Sequence, residues 1–543
     1  MTLLRDLSRA GLTLGAALAA LLLTPLLGPG AVLVRDSVFV PGIPLGAQLL
    51  GVDGVPRAVP SDLVVALGSR VLPVGWLQDL VLVALVVGAT WGAVRLAPTR
   101  SRVAALAAGS LYGWSPFLHE RLLLGQWALL VGWAVLPWAA AAALRWRDGE
   151  PCWAALGWLA VASVGGASAL LLVALVVALC GRPVQALLAT ALLSLPWALP
   201  ALLQPGVRGD PAGVAAFASR ADTPFGVVGS LLTGGGVWAP AAVPPGRAAG
   251  SAVAVALVVL AATGLPLVRE RLGDRLLWAG LAGLLLALLG RLPGAADALR
   301  WAVVHVPATG LLRDGSKWVA PLLLVTSAGL GCAVEGLLPR VRQHRVRQLA
   351  GALAVVAPLA ALPGAAWGES GRLHVASLPA EWGRTTSLAT GPVLVLPWRL
   401  YRAFPWNGDR TVLDPATKLL RHPVVDDDLP LATGVVQGED PLAARLDAAV
   451  SSGAPLLPAL RAEGVTGVLV ERRDRGYDEG RVRRQVSGLT LVRRGPELAL
   501  YSVPGARARA PQRRLWPVLL GDLLAAGFAL VAVARAVRRR APY

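Results

Sequence analysis

Residues 11–28 read GLTLGAALAALLLTPLLG, and residues 35–41, just beyond them, read RDSVFVP. The first stretch carries no charge and is long enough to cross a bilayer as a helix. Arg5 and Arg9 precede it and Arg35-Asp36 follow it, so the chain runs from a basic start through an apolar run to an ionic exit. Alone, Met1–Arg35 fits a secretory signal peptide. It lacks a convincing small-x-small cleavage site, and many apolar runs follow, so it reads as a retained anchor.

Apolar stretches recur at Trp76–Val94, Val103–Phe117, Gln126–Leu144, Trp153–Val164, Ala169–Leu179 and Val184–Leu203. Others follow at Ser251–Val268, Leu276–Leu289, Trp318–Leu338, Leu349–Leu362 and Leu515–Ala534. The pattern predicts an all-α polytopic membrane bundle of about 12 transmembrane helices, some tilted or incompletely spanning. Composition agrees. Of 543 residues, 55% are hydrophobic and only 15% charged, against about 25% charged in soluble domains, and the mean hydropathy is +0.61. A soluble or disordered chain is excluded. The net charge is +19, from 51 basic and 32 acidic residues, yet the basic residues sit in short clusters between apolar runs. That distribution excludes a nucleic-acid-binding stripe. Lysine occurs only at Lys317 and Lys418, an arginine bias that fits a high-GC bacterial genome.

The clusters Arg95/Arg100/Arg102, Arg145/Arg147, Arg269/Arg271/Arg275, Arg340/Arg342/Arg345/Arg347 and Arg535/Arg538/Arg539/Arg540 fall on the side of Arg5 and Arg9. By the positive-inside rule this places both termini in the cytoplasm of a bacterial cytoplasmic-membrane protein. The large outer segments are then 34–75, 204–250, 290–317 and 367–514. No inner loop exceeds about a dozen residues, too short for a nucleotide-binding domain, which excludes an ATP-driven pump or a cytosolic nucleotide-sugar site within the chain. Three cysteines, Cys152, Cys180 and Cys332, lie toward the inner side, and no disulfide is expected.

The expected organisation is a transmembrane domain at 1–366, an extracytoplasmic α/β domain at 367–514, and a final helix with a basic cytoplasmic tail at 515–543. Within 367–514, β-type runs at Pro392–Pro397, Val465–Glu471, Leu489–Arg493 and Leu498–Val503 alternate with helix-like Pro441–Ser451, Pro455–Glu463 and Asp478–Gln485.

Two short motifs are coincidences. His119-Glu120 starts like a zinc-protease H-E-x-x-H, but Leu123 stands where the second histidine belongs. Gly310–Lys317 resembles a phosphate loop, but its lysine comes one residue late and no strand precedes it. Three ionic clusters on the outer side are more informative. Arg35-Asp36 opens the first outer loop, which also carries Asp53 and Asp62. A carboxylate walled by apolar residues at a membrane surface suits a general base acting on a hydroxyl; otherwise it caps a helix or pairs locally with Arg35. Ser115–Arg121 contains His119, Glu120 and Arg121, and Leu312–Trp318 contains Arg313, Asp314 and Lys317. Their cations suit a lipid phosphate; alternatively they snorkel at span ends. Asp522 lies within the last apolar run, and Asp426-Asp427-Asp428 reads as an exposed acidic loop.

With these residues laid out, the chain resembles the multi-pass glycosyltransferases of the C superfold (GT-C), in particular the actinobacterial branch of arabinofuranosyltransferase-like and polyprenyl-phosphate-mannose-dependent enzymes. The resemblance is carried by Arg35-Asp36, by the long first loop with Asp53 and Asp62, by Ser115-Pro116…Glu120-Arg121…Gln126-Trp127, and by Arg313-Asp314…Lys317. It implies a sugar donor on polyprenyl phosphate, inversion at the anomeric carbon, and a cell-envelope glycan, lipid or protein acceptor in cell wall biogenesis. Asp36 matches the position of the base, and Glu120, Asp53 and Asp62 compete to be a second acid. Arg35, Arg121, Arg313 and Lys317 are the candidates for the lipid phosphate, with His119 and Asp314 as further candidates. No metal ligand set follows from the residues, and whether a divalent cation assists stays open. A transporter or flippase of a lipid-linked glycan and a non-catalytic envelope scaffold are the alternatives. The first would need ionisable residues along a path through the spans.

Overall fold

A computed structural model describes residues 2–52, 58–203, 209–306, 309–431, 434–508 and 515–538, with side chains from residue 6 onward. Among these, seven helices are long and apolar enough to cross a membrane: Asp6–Leu26, Val74–Leu96, Trp127–Arg147, Pro183–Leu203, Ser251–Leu272, Ser316–Arg340 and Leu515–Arg538. A helix satisfies its backbone internally, so it is the form such apolar runs take in a bilayer. The expected count of about twelve spans is not confirmed among the described residues. Trp153–Ser163, Gly166–Cys180 and Arg275–Leu288 are shorter apolar helices, below the ~20 residues that span hydrocarbon at 1.5 Å per residue.

One expected span is broken in an informative way. The run Val103–Phe117 divides into helices Arg102–Gly113 and Pro116–Leu123, with Ser115 extended between them. A residue before proline is pushed out of the helical region, and proline is well suited to the first helical turn. The short second helix carries His119, Glu120 and Arg121 into the interior, all fully buried.

The first helix packs on Val74–Leu96, Trp127–Arg147 on Gly166–Cys180, and Leu515–Arg538 on both Trp153–Ser163 and Pro183–Leu203. Ser251–Leu272 crosses Ala320–Leu337 with backbones in contact: a Cβ on Gly264 would overlap Gly329 O and stand 2.6 Å from Ala333 N. Small residues permit such close helix approach in membranes. Gly264→Val is expected to force these helices apart and cost about 1–3 kcal/mol. The measurement is thermal unfolding in detergent, and an unchanged melting temperature would contradict this packing.

The C-terminal region contains a five-stranded mixed sheet of order Thr490–Arg494, Leu498–Ser502, Gly467–Glu471, Val393–Leu396, Pro423–Val424. Gly467–Glu471 and Val393–Leu396 are parallel, and Leu498–Ser502 is antiparallel to Gly467–Glu471. All four expected strands and all three expected helices are present, at Pro441–Ser451, Leu457–Glu463 and Glu479–Gln485. Alternate residues of a strand face opposite sides. Leu394 and Leu396 meet the helices through Leu446, Val450, Leu460 and Val482. Val393 and Val395 meet Leu33, Val38, Phe39, Val40 and Ile43 of the first loop. The loop and the C-terminal sheet thus share one apolar core.

Two-stranded pairings extend this union. Ala31–Val32 pairs antiparallel with Val375–Ala376, and Asn407 Nδ2 donates to Leu33 O at 3.0 Å. A hairpin of Tyr401–Ala403 and Thr411–Leu413 is pinned by the fully buried Arg402. Its guanidinium meets Asp414 at 2.9 Å and Glu471 at 2.7 Å, with Asp474 3.9 Å away.

Candidate active site

The Arg35-Asp36 turn is clamped between the helical body and this hairpin. Arg35 has φ 41, a left-handed conformation that costs a non-glycine residue on the order of 1–2 kcal/mol. Its N–H donates to Thr411 O at 2.7 Å and its carbonyl accepts from Leu413 N at 2.8 Å. On the other side, Asp36 N donates to Leu124 O at 3.2 Å, and Arg35 Nη1 donates to Leu123 O at 2.6 Å. Gly125, at φ +75, passes directly over the turn, where a Cβ would overlap Ser37 N and Val34 O. Only glycine tolerates both demands.

Asp36 is half-buried. Tyr401 Oη donates to Asp36 Oδ1 at 2.6 Å, and the Gln126 side chain is a second hydrogen-bond partner. Burial raises the Asp36 pKa, while Tyr401, Gln126, Lys418 and Arg35 favour its ionised form and limit the rise. Gln126 is oriented from behind, because its Oε1 accepts from Arg121 Nη1 at 2.7 Å. The amide NH2 is thereby left for Asp36. Arg121 continues the line: Nη1 donates to Asp314 Oδ2 at 2.8 Å, and Nη2 donates to Ser316 Oγ at 2.6 Å. Tyr401, Asp36, Gln126, Arg121, Asp314 and Ser316 form one continuous polar path.

The other sequence candidates fall around it. Lys317 is buried, donates to Ser168 Oγ at 3.0 Å and to the carbonyl of Leu311, and lies within electrostatic reach of Asp314, Arg121 and Arg313. Two of its three N–H donors are thus used. Arg121 is different: with Asp314, Ser316 and Gln126 in place, its terminal nitrogens are engaged inside the protein. Arg313 turns to Glu439 at 3.1 Å and packs over the Phe217 ring. Asp62 is held by Lys418 at 2.5 Å. Since Lys418 also acts on Asp36, Asp62 joins the site indirectly. Asp53 lies outside the described residues.

Glu120 and His119 keep different company. Glu120 is directed to Asp222 and Arg247, whereas its neighbour Arg121 is directed to Asp314. Burial, reinforced by Asp222, pushes the Glu120 pKa well up. Asp222 is held below the usual carboxylate range: burial alone would raise it, but Arg247, Glu120 and the Gly236 N–H together outweigh burial. Arg247 Nη2 meets Asp222 Oδ1 at 3.2 Å. Within this pair the proton is held more firmly by Glu120 than by Asp222. His119 Nδ1 lies 2.5 Å from Glu369 Oε1, both fully buried, and Glu369 sits in a left-handed turn from Trp367 to Gly371.

Sequence reading did not single out Tyr401, Lys418, Asp222 or Arg247. Tyr401 and Lys418 come from a segment more than 300 residues downstream of Asp36, and no local pattern marks them. One signal existed: both lysines of this arginine-rich chain, Lys317 and Lys418, stand beside the polar path. The triple acid Asp426–Asp428 is structural rather than an exposed run. Asp427 Oδ2 accepts from Glu439 N and Asp440 N, and Asp428 Oδ1 accepts from Gly438 N. Among the described residues, no group of three or more His, Cys, Asp or Glu is placed to hold a metal ion.

A small cavity lies under the turn, lined by Val34, Ser37, Gln78, Leu122, Gly125 and Trp127. A larger apolar groove of about 550 Å³, with no residue of the polar path in its lining, lies between Phe225 and the Ala252–Thr263 face of the Ser251–Leu272 helix.

The fold is that of a solved glycosyltransferase. Over 93% of its length the chain matches a cryo-EM structure of the arabinofuranosyltransferase AftD from mycobacteria, with TM-score 0.61 and 18% identity, covering 42% of that protein. A second class of the same AftD mutant matches with TM-score 0.52 and 17% identity, over 91% of this chain and 41% of that one. The chain thus spans less than half the length of these neighbours, and at this identity the likeness is one of fold. It agrees with the GT-C resemblance expected from the sequence. No protein-family model and no curated protein matches the chain.

Proposed function

We propose that the chain is a membrane glycosyltransferase that takes a sugar from a polyprenyl-phosphate donor to an envelope glycan acceptor at the outer face of the cytoplasmic membrane. The observation that carries this reading is the polar path that converges on Asp36 within a glycosyltransferase fold. Asp36 is the base. It accepts the proton of the acceptor hydroxyl as the acceptor oxygen bonds to the anomeric carbon, the carbon–oxygen bond to phosphate breaks on the opposite face, and polyprenyl phosphate leaves. A raised pKa suits this role, since a base works best near ambient pH.

Lys317, with one N–H to spare beside the path, stabilises the departing phosphate. Arg121 is assigned to positioning, because its terminal nitrogens already hold Gln126, Asp314 and Ser316. Arg35 likewise holds the turn through Leu123 O. Glu120, set against Asp222, anchors the short helix that presents Arg121. The outward placement rests on the charge distribution of the loops.

The name of the fold neighbour makes arabinofuranose the first sugar to test. Purified protein in proteoliposomes, given polyprenyl-phosphate [14C]arabinofuranose and an oligo-arabinofuranoside, is expected to extend the acceptor by labelled residues. Absence of transfer from that donor and from its mannose, glucose and galactose counterparts, by protein that melts cooperatively, would overturn the reading.

A further inference from the structure

The segment that follows the helical body contributes its own group to the site. Tyr401 opens the hairpin whose other strand, Thr411–Leu413, brackets the Arg35 peptide through Thr411 O and Leu413 N. The next residue, Arg402, is fixed by Asp414 and Glu471, so the backbone at 401 is held from both sides. From there the hydroxyl donates to Asp36 Oδ1 at 2.6 Å, well within hydrogen-bond range.

Resting on the reading of Asp36 as base, we propose that Tyr401 is a positioning residue. Its hydroxyl fixes the orientation of the Asp36 carboxylate and favours the ionised form, so that the site is complete only when the C-terminal hairpin is docked on the first loop. The groups facing Asp36 are Tyr401 and Lys418 from the C-terminal segment, Gln126 from the helical body, and Arg35 from its own turn. Lys418 is shared with Asp62 and Gln126 with Arg121. A donor to a carboxylate stabilises the charged form, so its loss raises the pKa.

The test is the infrared band of the protonated Asp36 carboxyl, assigned by its disappearance in Asp36→Asn and followed against pH in the full chain in detergent. Tyr401→Phe is expected to move the midpoint up by about one unit. Fluorotyrosine at 401, a stronger donor, is expected to move it down. With polyprenyl-phosphate arabinofuranose as donor, the acidic limb of kcat should move with the band, the donor KM should hold, and the Tyr401→Phe rate at high pH should return to within a few-fold of the unsubstituted protein. A midpoint unmoved by either change would overturn the inference. Transfer by Asp36→Asn would instead overturn the base assignment, while the infrared midpoints would still report the Tyr401–Asp36 bond.

Discussion

Asp36→Asn is expected to lower kcat for transfer by about 10³-fold or more, with the donor KM changed little. Asparagine keeps the size of the side chain and an oxygen able to accept from Tyr401, but it cannot take a proton from the acceptor. Stability should not fall. Burial raises the Asp36 pKa in the folded protein. A group raised in this way contributes stability that is complete below its unfolded pKa and lost as pH rises through the folded value. At neutral pH the carboxylate is therefore a net cost, and the variant is expected to melt no lower than the unsubstituted protein. An inactive variant that also unfolds early would point to a structural role, and an active one would remove Asp36 from the chemistry.

The second large effect concerns Arg402. Its side chain and those of Asp414, Glu471 and Asp474 are fully buried. Removing the guanidinium leaves buried Asp414 and Glu471 without their cation, while Asp474 keeps Arg399, and breaking such a set typically costs about 3–5 kcal/mol. Arg402→Met is therefore expected to lower the melting temperature by on the order of 10 °C. The loss should depend on pH. Burial already pushes the Glu471 pKa well up, and Arg402 is the chief influence that lowers it. Without Arg402 the pKa rises further, so the variant's deficit should grow as pH rises through the folded pKa of Glu471. Thermal melts over a pH series check this; a deficit that does not grow with pH would show that Arg402 does not act through the charge of Glu471. Because Arg402 adjoins Tyr401, the same substitution should also weaken transfer.

Several features were legible in sequence because they are local. Apolar runs marked the helices, although a run such as Trp153–Val164 shows only that a segment is apolar, not that it crosses; the structure leaves it an 11-residue helix. Alternating valines and leucines at 393–396 and 468–470 marked the strands of the sheet. They could not show that one face, Val393 and Val395, is covered by the first loop, because alternation records burial without naming the partner. Ser115-Pro116 was visible as part of a motif, but the expected span Val103–Phe117 ran through it, and nothing local showed that neighbouring residues 119, 120 and 121 meet Glu369, Asp222 and Asp314 respectively.

From sequence alone came the apolar helical body, the C-terminal strands and helices, and Asp36 as the acid at the first exit, since hydropathy and side-chain period act over a few residues. Only the tertiary structure decided which groups surround that acid. Tyr401 and Lys418 reach it because the first loop and the C-terminal sheet bury their apolar faces in each other, joining residues hundreds of positions apart, while Gln126 comes from the helical body with Arg121 behind it.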